Sequence, residues 1–129
     1  MRKRYIDCIF FIFFFGCNEQ SAQFAELYVS RDSIDLGSVY LQDTIGIEYS
    51  LKNNGNAPLQ ILSTGASCGC SKVFLADSII NPGQQSILMV RFYTTDTGNI
   101  NKYIVIETNC KPIYKTLSFY GYLKAPNSQ

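Results

Sequence analysis

A chain of 129 residues with 47% hydrophobic and 16% charged side chains has the apolar content for one packed domain and is too weakly charged for a disordered one. Eleven basic residues against ten acidic ones leave it near neutral, without the concentrated positive charge that nucleic-acid binding requires. The absence of histidine removes Ser-His and Cys-His nucleophile pairs and any imidazole base.

The chain opens on the basic stretch Met1-Arg2-Lys3-Arg4, followed by an unbroken apolar run from Ile9 to Phe15 and then Gly16-Cys17. That is the layout of an export signal. The run is far shorter than the ~20 residues a spanning helix needs, so residues 1–16 are expected to be cleaved away and not to stay as a membrane span. Phe14 is large for an ordinary secretory cleavage site, whereas Phe14-Phe15-Gly16-Cys17 resembles a bacterial lipobox, in which the cysteine sulfur receives diacylglycerol and cleavage falls just before it. On this reading Cys17 is lipidated and anchors the protein to a membrane of the bacterial cell envelope, facing the periplasm or the cell surface. Residues 17–26, with the polar run Asn18 to Gln23, then form a tether. Cys8 leaves with the signal.

From there short β signals follow one another through a domain spanning residues 27–124. Ile34 to Val39 is a first strand containing Gly37, and Ile45, Ile47, Tyr49 and Leu51 alternate with small or polar residues as in a strand with one buried face. Asn53-Asn54-Gly55-Asn56 has the composition of an exposed tight turn. Leu59 to Leu62 runs into an irregular stretch, Asn81-Pro82-Gly83 marks another turn, and Ile87 to Phe92 is apolar on nearly both faces, as in a central strand. Asp96 to Asn99 turns the chain again before Tyr103 to Ile106 and Leu117 to Leu123, and residues 125–129 are a tail. No segment has capped helical periodicity. About seven short strands with frequent turns in this length describe an all-β, immunoglobulin-like β-sandwich, with Ile47, Leu51, Ile61, Val90, Phe92, Ile104, Ile106 and Phe119 in its core.

The order Asn54-Gly55 with Pro58-Leu59, then Ser67-Cys68-Gly69-Cys70-Ser71, Pro82-Gly83, Val90 and Phe92, Gly98 with Lys102 and Ile104, Thr108-Asn109 and Gly121 resembles the bacterial family called domain of unknown function 1573. The resemblance covers roughly residues 34–123, with Ser71 where Thr is commoner. It implies an exported, often lipidated domain similar to the immunoglobulin-like domains of cilia and pilus chaperones, and it implies no catalytic residues.

Cys68 and Cys70 flank Gly69, and three readings of them stand together. In an extended strand their Cα atoms would lie ~6.6 Å apart with parallel side chains, so a bridge between them needs a bend at Gly69. As a structural turn, with or without that bridge, the sulfurs pack beneath the loop as small apolar groups. As a thiol pair they exchange disulfides, and as soft ligands they offer a two-coordinate site for copper(I), too few donors for zinc. Cys110 is no partner for either, because the strands ending near Cys68 and Cys110 are expected to be antiparallel neighbours, placing the two at opposite ends of the sandwich, about 30 Å apart.

The acidic pairs Asp32 with Asp35 and Asp43 with Glu48 flank turns and read as solvated surface, not as a catalytic dyad. Tyr93, Tyr103, Tyr114, Tyr120 and Tyr122 crowd the last strands, and those on an outer face suit protein binding. The expectation is a lipid-anchored envelope protein, not an enzyme, whose domain binds or scaffolds another envelope protein, with no nucleic acid, small-molecule substrate, metal or other cofactor. The alternative is a thiol redox or copper(I)-binding lipoprotein working through Cys68 and Cys70.

Overall fold

The computed structural model describes residues 22–41 and 44–126 together with Gly16; the rest of the signal segment, Cys17 and Asp43 lie outside the described residues. Strands with one apolar face bury it by stacking two sheets, and this chain does so. Among the described residues the nine strands are β1 (Leu27–Val29), β2 (Ser33–Tyr40), β3 (Ile45–Asn53), β4 (Leu59–Ala66), β5 (Ser71–Leu75), β6 (Ile79–Ile80), β7 (Gln85–Phe92), β8 (Gly98–Thr108) and β9 (Tyr114–Lys124). One sheet has the order β1-β3-β7-β5 and the other β2-β9-β8-β4-β6. All pairings are antiparallel except β2 with β9. The result is an all-β, immunoglobulin-like sandwich.

The core lies between the sheets, and all eight side chains expected there are buried. Phe92 of one sheet meets Phe119 of the other edge to face at 5.4 Å between ring centroids, a geometry that suits the ring quadrupoles. Beside them Tyr49 reaches across the sandwich and its hydroxyl donates to the Ser118 carbonyl oxygen at 2.6 Å. That bond satisfies the one polar atom of a side chain that is 1% exposed. Burial, reinforced by the negative charge of Asp32, pushes the Tyr49 phenol up to about 12.

Two expectations change. The turn Asn53 to Asn56 is not simply an exposed hairpin, because Asn53 is fully buried at the end of β3. Its Nδ2 donates to the carbonyls of Ala57 and Ile80 at 2.7 and 2.9 Å, and its Oδ1 accepts from the Gly55 and Glu26 amides at 2.9 and 3.3 Å. The loop clasps residues 22–26, which were expected to belong to the tether. Asn56 accepts from the Phe24 amide and donates to the Ala22 carbonyl, while the amides of Asn54, Asn56 and Ala57 donate to the carbonyls of Glu26, Phe24 and Phe24. Gly55 is required here, since a Cβ on it would lie 2.7 Å from the Glu26 nitrogen and 2.8 Å from the Ala25 Cα.

The second change concerns Ile87 to Phe92. As β7 it is an interior strand, but only one of its faces is covered, and Ile87 is exposed on the other. The strands not anticipated are the short ones, β1, β5 and β6. In β5, half-buried Val73 and Leu75 alternate with exposed Lys72 and Phe74, and the Arg91 guanidinium sits 5.0 Å from the Phe74 ring centroid. No helix among the described residues is long and apolar enough to cross a membrane.

Truncating Phe92 to Ala removes the ring shared by both sheets and is expected to cost about 3–5 kcal/mol in denaturant unfolding. Tyr49→Phe keeps the ring but removes its hydrogen bond to the Ser118 carbonyl, with an expected loss of about 0.5–1.5 kcal/mol. It also changes the alkaline limb. The phenol titrates near 10 when unfolded and about 12 when folded, so its contribution is complete below pH 10 and is lost as pH rises through 12. Stability of Tyr49→Phe should therefore fall less steeply than that of the parent across this window; equal slopes would show that Tyr49 is not the group responsible.

Candidate functional site

The Cys-Gly-Cys segment occupies the corner where the chain leaves β4 in the five-stranded sheet and enters β5 in the four-stranded sheet. Both ends of the corner are fastened. The Ser67 amide donates to the Tyr103 carbonyl at 2.9 Å, and Ser67 Oγ accepts from the Tyr103 amide at 3.1 Å. On the other sheet the Tyr93 amide donates to the Cys70 carbonyl, and the Tyr93 hydroxyl donates to the Gly69 carbonyl, both at 3.0 Å.

Cys68 and Cys70 form a disulfide across this corner, with their Cα atoms drawn in to 5.2 Å, inside the range a bridge accepts. The chain bends instead of running on as a strand. Both sulfur-bearing residues are half-buried and pack against the core, whereas Gly69 is exposed. Gly69 does not need to be glycine on steric grounds, since a Cβ there would meet nothing within 4 Å and its φ is not positive. In this oxidised form neither sulfur is a thiolate, the species that attacks disulfides or ligates copper(I). Reduction would release two thiols side by side.

Cys110 lies where the strand pairing was expected to put it. It follows β8 in the hairpin leading to β9, where Asn109 bonds to Gln60 near the start of β4, whereas Ser67 beyond the end of β4 bonds to Tyr103. It is therefore at the opposite end of the β4–β8 pair. Cys110 is a free, buried thiol whose amide donates to Thr108 Oγ1 at 3.1 Å. Among the described residues no three of Cys, His, Asp and Glu cluster closely enough to hold a metal ion.

Asp32 and Asp35 are both held in structural contacts. Asp32 forms an exposed ion pair with Lys115 at 2.9 Å, and that hydrogen bond and charge hold its carboxyl below the usual range. Asp35 Oδ1 accepts from the Gly37 amide at 2.8 Å, closing a local turn at the bulge where β2 shifts register against β9.

The five-stranded sheet brings four of the five late tyrosines onto its outer face, three of them together and Tyr114 apart at the start of β9. Tyr120 and Tyr122 project from β9 opposite Asn101 and Asn99 of β8, and Tyr103 of β8 lies opposite Ser118. All three tyrosines are more than two-fifths exposed. Asn101 donates to the Tyr103 hydroxyl at 3.1 Å, and the side chains of Asp35, Ser38, Asn99 and Asn101 border a shallow depression of about 450 Å³ beside Tyr120 and Tyr122. Gly121 lets the β2 bulge approach between these tyrosines, since a Cβ there would lie 2.8 Å from the Gly37 carbonyl oxygen. Tyr93 stands apart at the corner, and Tyr114 lies on the same outer face but at the hairpin end of β9. The asparagine partners were not singled out in the sequence, although their alternation with Ile100 and Lys102 on β8 was there to read.

The sequence profile described as "Protein of unknown function (DUF1573)" matches residues 27–123. The chain belongs to the DUF1573 family. Among solved structures it is similar to a protein of unknown function from Porphyromonas gingivalis W83, with 17% identity and a TM-score of 0.68, over 79% of this chain and 48% of that one. The PapD-like domain 7 of human CEP192, an ASH domain, matches at 12% identity and a TM-score of 0.60, over 87% of this chain and 93% of that one. A third similar structure, the secreted serine protease VesC from Vibrio cholerae, aligns at 14% identity and a TM-score of 0.57, over 78% of this chain and 23% of that one. This chain thus spans about half of the Porphyromonas protein and under a quarter of the protease, and at these identities the likeness is one of fold. No curated protein matches the sequence.

In protein purified without reductant, a thiol reagent at neutral pH should label neither Cys68 nor Cys70, and Cys110 only after unfolding. Labelling of Cys68 or Cys70 in the folded, unreduced protein would show that the corner is held by its hydrogen bonds alone.

Proposed function

We propose that this protein is a lipid-anchored component of a bacterial envelope whose immunoglobulin-like domain binds or scaffolds another envelope protein, and that it is not an enzyme. The observation that carries the binding assignment is the tyrosine and asparagine face of the five-stranded sheet. Tyrosine supplies large contact area at low entropic cost, and on a rigid sheet the partner need not order it first. The fold is consistent with this role, because sandwiches of this kind serve as recognition modules, although a fold alone assigns no function.

The anchoring assignment rests on the basic start, the apolar run and Gly16-Cys17. A disulfide between Cys68 and Cys70 supports export, since such bonds persist outside the reducing cytoplasm. The second reading, thiol exchange or copper(I) binding by Cys68 and Cys70, is favoured by one observation. The bridge is half-buried, not sealed, so a reductant has a route to it. Copper(I) retained by the reduced protein against a weak competitor would bring that reading to the front.

The test combines both halves of the proposal. Cys17→Ser should abolish incorporation of a fatty-acid probe and release the protein from membranes. A photo-crosslinking residue at position 120 should give a discrete adduct in intact cells, lost on Tyr122→Ala, while one at Lys72 on the other sheet gives none. Probe incorporation surviving Cys17→Ser removes the anchor, and adducts equally strong from position 72 remove the binding face.

A further inference from the structure

We infer that the end of the sandwich carrying residues 22–26 and the β8–β9 hairpin rests on the lipid surface, with Phe24, Ile113 and Tyr114 in the headgroup layer. This rests on the proposed acylation of Cys17. The argument begins with reach. Five residue steps separate Cys17 from Ala22, and a fully extended chain covers at most ~3.6 Å per residue, or about 18 Å. Ala22 is already fastened, its carbonyl accepting from Asn56 Nδ2 at 3.1 Å, so slack cannot be drawn from the arm without breaking the clasp.

The sandwich is longer than that reach. β9 runs for 11 residues, which at ~3.3 Å each is about 35 Å. A lipid on Cys17 therefore keeps the Asn53–Asn56 end near the bilayer, and the Cys68–Cys70 corner and the Tyr40–Lys124 end point away. Asn109 bonds to Pro58 and Gln60, so the β8–β9 hairpin lies at the near end too. Between the hairpin and the arm is an open cleft of about 670 Å³, bordered by Phe24, Pro58, Cys110 and Lys111.

The side chains at this end suit such a surface. Phe24 is 53% exposed, Ile113 49% and Tyr114 62%, although a soluble domain gains nothing by showing them to water. Lys111 and Pro112 at the hairpin tip are exposed as well. An aliphatic side chain, two aromatic rings and a lysine that extends its ammonium toward phosphate are the chemistry of the membrane interface. The occupant is thus a phospholipid surface: the tether delivers it to this end, and these groups are soluble in it.

The chain contains no tryptophan, so a single introduced indole reports its own surroundings. The full-length protein carrying Ile113→Trp, or Tyr40→Trp at the far end, is expressed in a bacterium that lipidates it. It is then reconstituted on vesicles of phosphatidylethanolamine and phosphatidylglycerol containing brominated acyl chains. Both variants should float with the vesicles, with the indole at position 113 shifted to shorter wavelength and quenched and the one at position 40 neither. Flotation of both with equal quenching, or with none, overturns the orientation while leaving the anchor standing. Failure to float, or flotation that survives Cys17→Ser in the same background, overturns the anchor and the orientation together.

Discussion

The buried amide of Asn53 is the constraint on which the arrangement of this molecule turns. A polar side chain sealed in a low-dielectric interior is stabilising only when all its groups are paired, and each group left unpaired costs about 1–3 kcal/mol. Asn53 is paired on both sides, to Ala57 and Ile80 through its nitrogen and to Gly55 and Glu26 through its oxygen. Its own amide and carbonyl bond to Gln84 and Gly83. One residue therefore locks the arm, the β3–β4 loop, β6 and the turn before β7 into a single unit. An aspartate there would lose the two donors, and a leucine all four partners. Residues 22–26 are thus part of that unit, held against the loop by the fold.

The alternation of Ile47, Tyr49 and Leu51 made β3 legible in the sequence, since a period of two is unambiguous where one face is buried, whereas Ile87 and Met89 between Leu88, Val90 and Phe92 hid the one-sided burial of β7. The short strands were hidden for the same reason in reverse. β6 has two residues and β1 three, too few to show a period, and β5 sits between the Cys-Gly-Cys corner and a run of small and polar residues that reads as loop. Asn53 was misread because asparagine beside Asn-Gly-Asn has the composition of a turn, and composition does not distinguish a side chain bonding inward from one facing water. Its partners Ile80 and Glu26 are both 27 residues away, beyond any local pattern. Of the candidate site, the placement of Cys110 far from Cys68 followed from strand order alone, whereas the bend that brings Cys68 and Cys70 together depends on hydrogen bonds from Tyr103 of β8 and from Tyr93 just beyond the end of β7.

That bend explains the place of the disulfide in the architecture. A chain crossing from one sheet to the other in the four residues between β4 and β5 has no ladder to hold it, and its backbone groups must find partners in both sheets. The corner does this through Tyr103 on one side and Tyr93 on the other, and the bridge limits the conformations open to the intervening residues in the unfolded chain as well. The entropic gain from so short a loop is small. Its effect is local, keeping the Gly69 carbonyl where the Tyr93 hydroxyl meets it and the edge strand β5 aligned with β7.

The two outer faces differ in a way that bears on which of them recognises a partner. On the four-stranded sheet Glu48, Lys52, Lys72 and Arg91 project outward, Arg91 over the Phe74 ring, and such charged side chains are costly to desolvate in the centre of an interface. On the five-stranded sheet Asn99, Asn101, Tyr103, Ser118, Tyr120 and Tyr122, outward at the middle of β8 and β9, carry no formal charge, and the charge of Lys124 lies at the far end of β9, 5.5 Å from the Tyr40 ring centroid. Water is displaced from amides, hydroxyls and phenol rings at much lower cost than from ions, and each of these groups has donors or acceptors to offer a partner in exchange. In the orientation proposed above, this face would stand along the side of the molecule, reachable by a neighbour anchored in the same bilayer without either protein having to turn over.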